Sequence, residues 1–145
     1  MINLLGASLI EKVEKSEEKI KQLKARIDEL EWALDDQEQY SRRTCLRIKN
    51  DWVEQEDEDT DELLLHLFNE ELGVDVDEAD IGRSHRVGRP VRGAAEQRRP
   101  IIVRFLSYRV RAKVFKARFK LKSRNIFVNE DLTRKRDTLA YKAEF

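Results

Sequence analysis

The sequence predicts an α+β protein in which a long N-terminal helix precedes a small domain of strands and helices. Three observations lead to this prediction. Residues 9–38 contain neither glycine nor proline and repeat their apolar side chains at helical spacing. After residue 44, short strand-like runs alternate with two amphipathic helical segments. Charge is also segregated, with a strongly basic block in the second half of the chain.

The N-terminal segment has the heptad spacing of a coiled coil. Position a is occupied by Val13, Ile20, Ile27 and Leu34. Position d is occupied by Leu9, Ser16, Leu23, Leu30 and Gln37. A spacing of about 3.5 residues keeps one apolar stripe facing a partner helix. The alternative is an amphipathic helix packed on its own domain, but the narrow stripe and the charged remaining faces favour the coiled coil.

Two features of this segment point to different oligomers. Isoleucine at a with leucine at d favours a parallel dimer. The segment Arg26–Glu31 instead resembles a trimer-favouring pattern, in which an arginine reaches a glutamate on the next helix. We expect a homotrimer, with a dimer as the second choice. The residues expected at the helix contact are Leu9, Val13, Ile20, Leu23, Arg26, Ile27, Leu30, Glu31 and Leu34.

The first half of the domain predicts a strand, an acidic loop and a helix. Leu46 and Ile48 alternate with polar neighbours, which is typical of a half-buried strand. After the acidic loop Glu54–Asp59, a capping box at Asp59–Glu62 starts a helix that we expect to end at Gly73. Its apolar face consists of Leu64, Leu67, Phe68 and Leu72.

The second half of the domain predicts three more strands and a second helix. Residues 80–87 have strand character, and residues 88–100 form a loop rich in Gly, Pro and Arg. A strand at 101–105 precedes a helix capped by Ser107, and residues 126–128 make the last strand. The apolar face of that helix consists of Val110, Val114, Ala117 and Leu121. The order β-α-β-β-α-β predicts a ferredoxin-like domain whose two helices leave one sheet face open.

The formal net charge of zero hides two opposite blocks. Residues 42–80 hold 4 basic and 14 acidic side chains, whereas residues 81–124 hold 15 basic and 1 acidic, a net charge of +14. The basic block could be a solvated surface that the acidic block balances. Solvated surfaces usually mix both signs, however, so a block with a single acid favours a polyanionic ligand. We interpret it as a nucleic-acid interface.

The open sheet face is the expected site of contact, because RNA-recognition motifs bind single strands there through exposed aromatic residues. In the first strand, Arg47 stands where such motifs place an aromatic residue. In the third strand, Pro100 and Ile102 occupy the aromatic slots. Strand alternation directs Ile102 and Arg104 outward, and Phe127 is the one aromatic residue expected to stack on a base. An arginine-rich face predicts weak sequence preference and strong salt dependence.

Several classes of protein are excluded by composition and motif. Cys45 is the single cysteine, so no intramolecular disulfide forms, which fits a reducing compartment. Two histidines and one cysteine do not suffice for a structural zinc site. No apolar run reaches the roughly 18 residues of a membrane span, and the N-terminus lacks signal-peptide features. Catalytic triads, phosphate-binding loops and metal clusters are absent from the sequence, so we expect a soluble intracellular protein that is neither an enzyme nor cofactor-dependent.

Four segments of the chain carry a likeness to a known family: Tyr40–Ile48, Arg83–Gly88, Arg99–Phe105 and Asn129–Arg136. Together they resemble the first-open-reading-frame protein of LINE-type (long interspersed element) retrotransposons. The resemblance implies a trimeric coiled coil, a non-standard RNA-recognition motif and a small basic C-terminal domain. It also implies single-stranded RNA binding and nucleic-acid chaperone activity during transposition. By this resemblance Arg42, Arg43 and Arg47 contact RNA, and Cys45 stands where the family usually has Asn.

These inferences define the expected domains and interface. Residues 1–41 form the coiled coil, residues 42–132 the RNA-recognition-motif-like domain, and residues 133–145 the start of a truncated C-terminal domain. We expect the protein in cytoplasmic ribonucleoprotein particles, with the nucleus as an alternative. The residues expected to bind RNA are Arg42, Arg43, Arg47, Lys49, Arg83, His85, Arg86, Arg89, Arg92, Arg98, Arg99, Arg104, Phe127, Arg134, Lys135 and Arg136.

Three alternatives qualify this expectation. Single-stranded DNA is a possible ligand in place of RNA. The chain could be a coiled-coil adaptor whose degenerate domain no longer binds nucleic acid. A basic leucine zipper is disfavoured, because the basic block does not continue directly from the heptads.

The lysines and arginines of the second predicted helix are ranked below the interface residues, because they are expected to form a solvated surface. They are Lys113, Lys116, Arg118, Lys120 and Lys122.

Overall fold

A computed structural model of the chain describes residues 4–144, with side chains to residue 141. The chain falls into two units, the first ending at Tyr40 and the second beginning at Ser41. Helix α1 spans Leu4–Ser41, which is 38 residues and therefore about 57 Å in length. It extends beyond both ends of the predicted segment. Within the described residues, no helix has the length and apolarity needed to cross a membrane.

The apolar heptad residues of α1 are all exposed in the single chain. They are Leu9, Val13, Ile20, Leu23, Ile27, Leu30 and Leu34. Arg26 pairs with Glu29 in its own helix at 3.2 Å, and both side chains are well exposed. Such a surface pair contributes little, about 0.3–0.5 kcal/mol, so it would not prevent Arg26 from pairing with another helix. The helix thus carries an exposed apolar stripe that is interrupted at Ser16.

The second unit contains a four-stranded antiparallel sheet with strand order β2-β3-β1-β4. The strands are β1 (Cys45–Lys49), β2 (Ile81–Arg86), β3 (Ile101–Phe105) and β4 (Phe127–Glu130). The helices are α2 (Thr60–His66), α3 (Tyr108–Lys116) and α4 (Arg134–Glu144). The α+β class and the predicted order of strands and helices are confirmed.

Short irregular helices extend or precede the regular elements. A π-helical turn, Leu67–Glu71, continues α2, and a 3-10 turn, Ala117–Leu121, continues α3. A further 3-10 turn, Glu78–Asp80, leads into β2. As predicted, Asp59 caps α2: its carboxylate accepts from two backbone N–H groups of the first turn, at 3.0 and 3.3 Å. Gly73 ends the helical segment with φ +65°, a conformation that favours glycine.

The core lies between one face of the sheet and helices α2 and α3. The helices contribute Leu64, Leu67, Phe68, Leu72, Val114 and Leu121. The strands contribute Leu46, Ile48, Ile81, Ile101, Val103, Phe105 and Val128. Phe68 and Phe105 pack with ring centroids 5.7 Å apart. Every predicted core residue is buried except Val110 and Ala117, which are half-buried and pack against the edge of the core.

Replacing Phe68 by alanine tests the position of this core. Phe68 is fully buried, so its truncation should lower the free energy of unfolding by about 3–5 kcal/mol. Chemical denaturation followed by circular dichroism measures the change. The matched control is Phe119→Ala, since that ring is 58% exposed and its loss should cost less than about 1 kcal/mol. Similar losses in the two variants would contradict the assigned core.

Candidate nucleic-acid interface

The sheet face away from the helices carries a row of side chains, one from each strand, that contains the fixed cation Arg47. Arg47 lies at the centre, paired with Ile102 of β3 on one side and Asn129 of β4 on the other. His85 of β2 continues this row by pairing with Ile102. Arg47, His85 and Asn129 are exposed, as strand alternation requires. The row crosses all four strands.

A second row places two arginines side by side. Arg83 and Arg104 are cross-strand partners in β2 and β3, and both are exposed. Like charges at directly opposite positions destabilise a sheet pair, and a bound anion would relieve that repulsion. Cys45 completes the row but is buried, so its thiol is not presented to a ligand on the open face.

The described strand residues on this face include no aspartate or glutamate and a single aromatic ring. That ring is Phe127, 51% exposed, with the ammonium group of Lys49 5.8 Å from its centroid. Phe127 and Lys49 are cross-strand partners, so they present a ring and a cation together at the β4 edge. A flat ring beside a positive charge suits stacking of a base whose phosphate is bound nearby.

Two of the arginines implied by the resemblance converge on one buried carboxylate. Arg42 Nη1 lies 3.4 Å from Asp131 Oδ1 and also donates to the Leu132 carbonyl at 3.2 Å. Arg47 Nε lies 3.6 Å from the same oxygen. Asp131 is only 3% exposed. It therefore limits where the two guanidinium groups can point, and sequence reasoning did not identify it.

Arg86 has a structural position that sets it apart from the other candidates. It lies on the helix-covered face and is buried, with Nε and Nη2 donating to the two carboxylate oxygens of Glu58 at 2.8 and 3.0 Å. Its Nη1 donates to Asn50 Oδ1 at 3.0 Å and to the Arg99 carbonyl at 2.6 Å. These bonds occupy the guanidinium group, so we leave Arg86 out of the interface.

Arg99 is also engaged within the domain. Its Nε donates to Glu54 at 3.0 Å, and its Nη1 donates to the Gly88 carbonyl at 2.9 Å. The hydrogen bonds from Arg99 hold the pKa of Glu54 below its ordinary value, and those from Arg86 do the same for the pKa of Glu58. Arg99 is accordingly also left out. Both acids belong to the predicted acidic loop Glu54–Asp59. This loop binds Arg86 at the end of β2 and Arg99 just before β3.

The other candidate residues lie around the sheet rather than on it. Arg89, Arg92 and Arg98 are exposed in the loop between β2 and β3. That loop is braced by Gln97, which exchanges two hydrogen bonds of 2.8 Å with the backbone of Val91. Arg98 pairs with Glu96 at 3.0 Å but stays half exposed. Arg43 and Arg134 are exposed, and two further cations at the start of α4 are half-buried: Lys135 and Arg136.

The described residues offer no metal centre, since no group of three or more His, Cys, Asp or Glu side chains is placed to hold an ion. No protein-family model matches the chain, and no curated protein is significantly similar to it. The likeness to the retrotransposon protein therefore rests on the four sequence segments. The candidate interface is inferred from the arrangement of exposed cations on the sheet.

Replacing Glu58 by glutamine tests the buried arginine network. Because Arg86 would lose its charged partner, the free energy of unfolding at neutral pH should fall by about 1–3 kcal/mol. The pKa of Glu58 is depressed in the folded state, so its contribution is present above the ordinary value of 4.5 and disappears as the pH falls through the lower folded value. Denaturation across this range should show a shallower acid dependence for the variant.

The matched control is Glu56→Gln, which removes an exposed carboxylate from the same loop. It should leave both the stability and its acid dependence nearly unchanged. Identical behaviour of the two variants would mean that the Glu58–Arg86 pair does not stabilise the fold.

Proposed function

We propose that this chain is an oligomeric protein that binds single-stranded nucleic acid, with RNA as the favoured ligand, and that it is not an enzyme. The observation that carries the proposal is the open sheet face, where the described strand residues include exposed cations and no acid. Those cations are Arg47, Lys49, Arg83 and Arg104. The carboxylate near them is the buried Asp131, which follows β4 and pairs with Arg47. A surface of one sign concentrates polyanions and releases their counterions on binding.

The architecture supports a ferredoxin-like domain of the RNA-recognition type. The strand order β2-β3-β1-β4 and the packing of α2 and α3 on one face both fit that arrangement. Single strands suit an open sheet because their unstacked bases can lie flat on it. The apolar core and the helices cover the other face of the sheet. A ligand on the sheet would therefore contact the open face, where the exposed arginines lie.

The chemistry of these rows implies a binding mode dominated by phosphate. Guanidinium groups bind phosphate oxygens through paired N–H donors and also stack on base planes. Phe127 adds one sequence-tolerant stacking position, which in comparable proteins contributes about 1–3 kcal/mol per base. We expect Asp131 to act as a positioning residue, because it holds Arg42 and Arg47 near the centre of the face. Sequence preference should be weak.

The wider role follows from the resemblance to LINE-type proteins. We propose that the chain coats RNA in a retrotransposon ribonucleoprotein and acts as a nucleic-acid chaperone, with Arg134, Lys135 and Arg136 adding contacts from the first turn of α4. Cytoplasmic ribonucleoprotein particles are the proposed location. The alternative, a coiled-coil adaptor without RNA affinity, is favoured by two observations: the usual aromatic slots carry Arg47 and Ile102, and two candidate arginines are bound internally.

Self-association is proposed from the exposed stripe of α1. This helix exposes seven apolar heptad residues, and their burial against copies of the same helix would be energetically favourable. We propose a homotrimer through the Arg26–Glu31 segment, with a dimer as the second choice. Each copy would carry one sheet domain.

The triple variant Arg47→Ala, Arg83→Ala, Arg104→Ala tests the interface. Losing three phosphate contacts should weaken binding of a labelled single-stranded RNA and reduce the slope of log affinity against log salt by about 2, at roughly 0.7 per contact. Fluorescence anisotropy across a salt series measures both. The control removes three exposed cations from α1: Lys12, Lys19 and Lys24. It should bind nearly as well as the wild type.

Stability separates a binding role from a structural one. Since Arg83 and Arg104 repel each other, their removal should leave the free energy of unfolding unchanged or slightly higher. Unchanged affinity in a folded triple variant would contradict the assigned face. A wild-type chain with no affinity at low salt would favour the adaptor.

A double change, Ile20→Glu and Ile27→Glu, tests the proposed oligomer. Charges at two a positions should disrupt the helix contact, because each would be buried against apolar side chains. Light scattering should give three times the 17.2 kDa chain mass for the wild type and a single mass for the variant. Lys21→Ala with Asp28→Ala, which lies off the stripe, should leave the mass unchanged. A monomeric wild type would rule out the coiled coil.

A further inference from the structure

The outer surface of α3 and its 3-10 extension forms a second basic region. Residues 108–124 contain eight cations and no acid. Helix α3 packs on the covered face of the sheet through Val114, and its extension does so through Leu121. Their outer surface therefore lies on the opposite side of the domain from the open face. The second region is spatially separate from the interface proposed above.

Aromatic rings and cations alternate along this surface as a cation–π ladder. Arg111 lies 5.5 Å from the Tyr108 ring and 5.0 Å from the Phe115 ring. Arg118 lies between Phe115 and Phe119, at 3.8 and 4.2 Å from their centroids. Lys122 follows at 5.6 Å from the Phe119 ring. We call these six residues the ladder.

One part of this region is tied to the domain, and another part is left for a ligand. Arg111 pairs with Glu130 at 3.2 Å, Arg124 pairs with Glu71, and Lys120 donates to the Leu72 carbonyl at 2.9 Å. Among the described residues, no carboxylate forms an ion pair with the remaining five cations. They are Arg109, Lys113, Lys116, Arg118 and Lys122.

Exposure of the rings distinguishes this surface from an ordinary solvated helix. Tyr108 and Phe119 are more than half exposed, at 53% and 58%. Solvation of lysines and arginines does not require exposed rings between them, whereas stacking of bases does. Membrane-surface helices present a continuous apolar face opposite their charges. Here cations separate the two exposed rings, which favours nucleic acid over a lipid surface.

We propose that the ladder is a second binding surface for single-stranded nucleic acid, so that one protomer holds two strands on opposite faces of its domain. This inference rests on the proposed function and extends it. Phosphates would bind the exposed cations Arg109, Lys113, Lys116 and Lys122, and a base would stack on the exposed Phe119 ring, whose other neighbour is the Arg118 guanidinium group.

Counting bound strands tests the proposal. The probe is a labelled RNA of about 6 nucleotides, a length within the site sizes of single-strand binding folds. Titration of the full chain at low salt should saturate at two strands per protomer. Saturation at one strand is expected for the open-face triple variant and for Arg118→Ala, Phe119→Ala, Lys122→Ala. Combining both sets should abolish binding.

Two single variants keep the test independent of folding. Phe119→Leu keeps apolar bulk but removes the ring, so affinity at the second site should fall about tenfold or more. Phe119→Tyr keeps the ring and should bind as the wild type does. Circular dichroism should show native spectra for both. Equal affinity of the Leu and wild-type chains would overturn the stacking role.

The outcomes separate this inference from the proposed function. If the ladder variant saturates like the wild type while the open-face variant loses its strand, the second surface is wrong and the first stands. If the wild type binds no RNA, both are wrong. Vesicles of anionic phospholipid provide the last arm: ladder-dependent binding to vesicles with unchanged RNA stoichiometry would assign the surface to lipid instead.

Discussion

The fold of the sheet domain depends on one buried cation, Arg86. Its guanidinium group joins Glu58 before α2, Asn50 after β1 and the Arg99 carbonyl before β3. Four segments distant in sequence therefore meet at one side chain. A charge removed from water is tolerated only when its donors are satisfied, and here a paired carboxylate and two further oxygens meet that requirement. The same edge strand places Ser84 against Thr60 and Asp61 of α2.

This constraint divides the arginines of the basic block into two groups. Arg86 at the end of β2 and Arg99 just before β3 are bound by carboxylates of the acidic loop, whereas Arg83 and Arg104 face solvent and form no ion pair within the described residues. The acidic block is therefore not a uniform counterweight to the basic one. It neutralises particular arginines at short range and leaves the field over the open face largely intact, because solvent and salt screen distant charges.

Local patterns predicted much of this arrangement. Apolar alternation placed Ile101, Val103 and Phe105 in the core, and cap residues placed the helix starts. Arg83 and Arg86 are chemically identical, and only their phase relative to the β2 pairing, shifted at Gly82, separates solvent from core. The pairing of Arg99 with Glu54, 45 residues away, left no local signal. The ion pairs of Asp131 could not be predicted for the same reason, since its partners Arg42 and Arg47 lie at the other end of the domain sequence.

The exposed stripe of α1 has a consequence for how tightly a long strand is held. In the proposed oligomer, several open sheet faces, each of modest affinity for RNA, are joined through one coiled coil. Once one face has engaged a strand, the others search a small volume around it, so their effective concentration reaches the millimolar range when the chain between sites can span the distance. The strand is then released only when all of the bound sheet faces dissociate from it at the same time. Residence time would depend on strand length far more than on nucleotide sequence, and a short fragment would exchange freely where a full transcript would not.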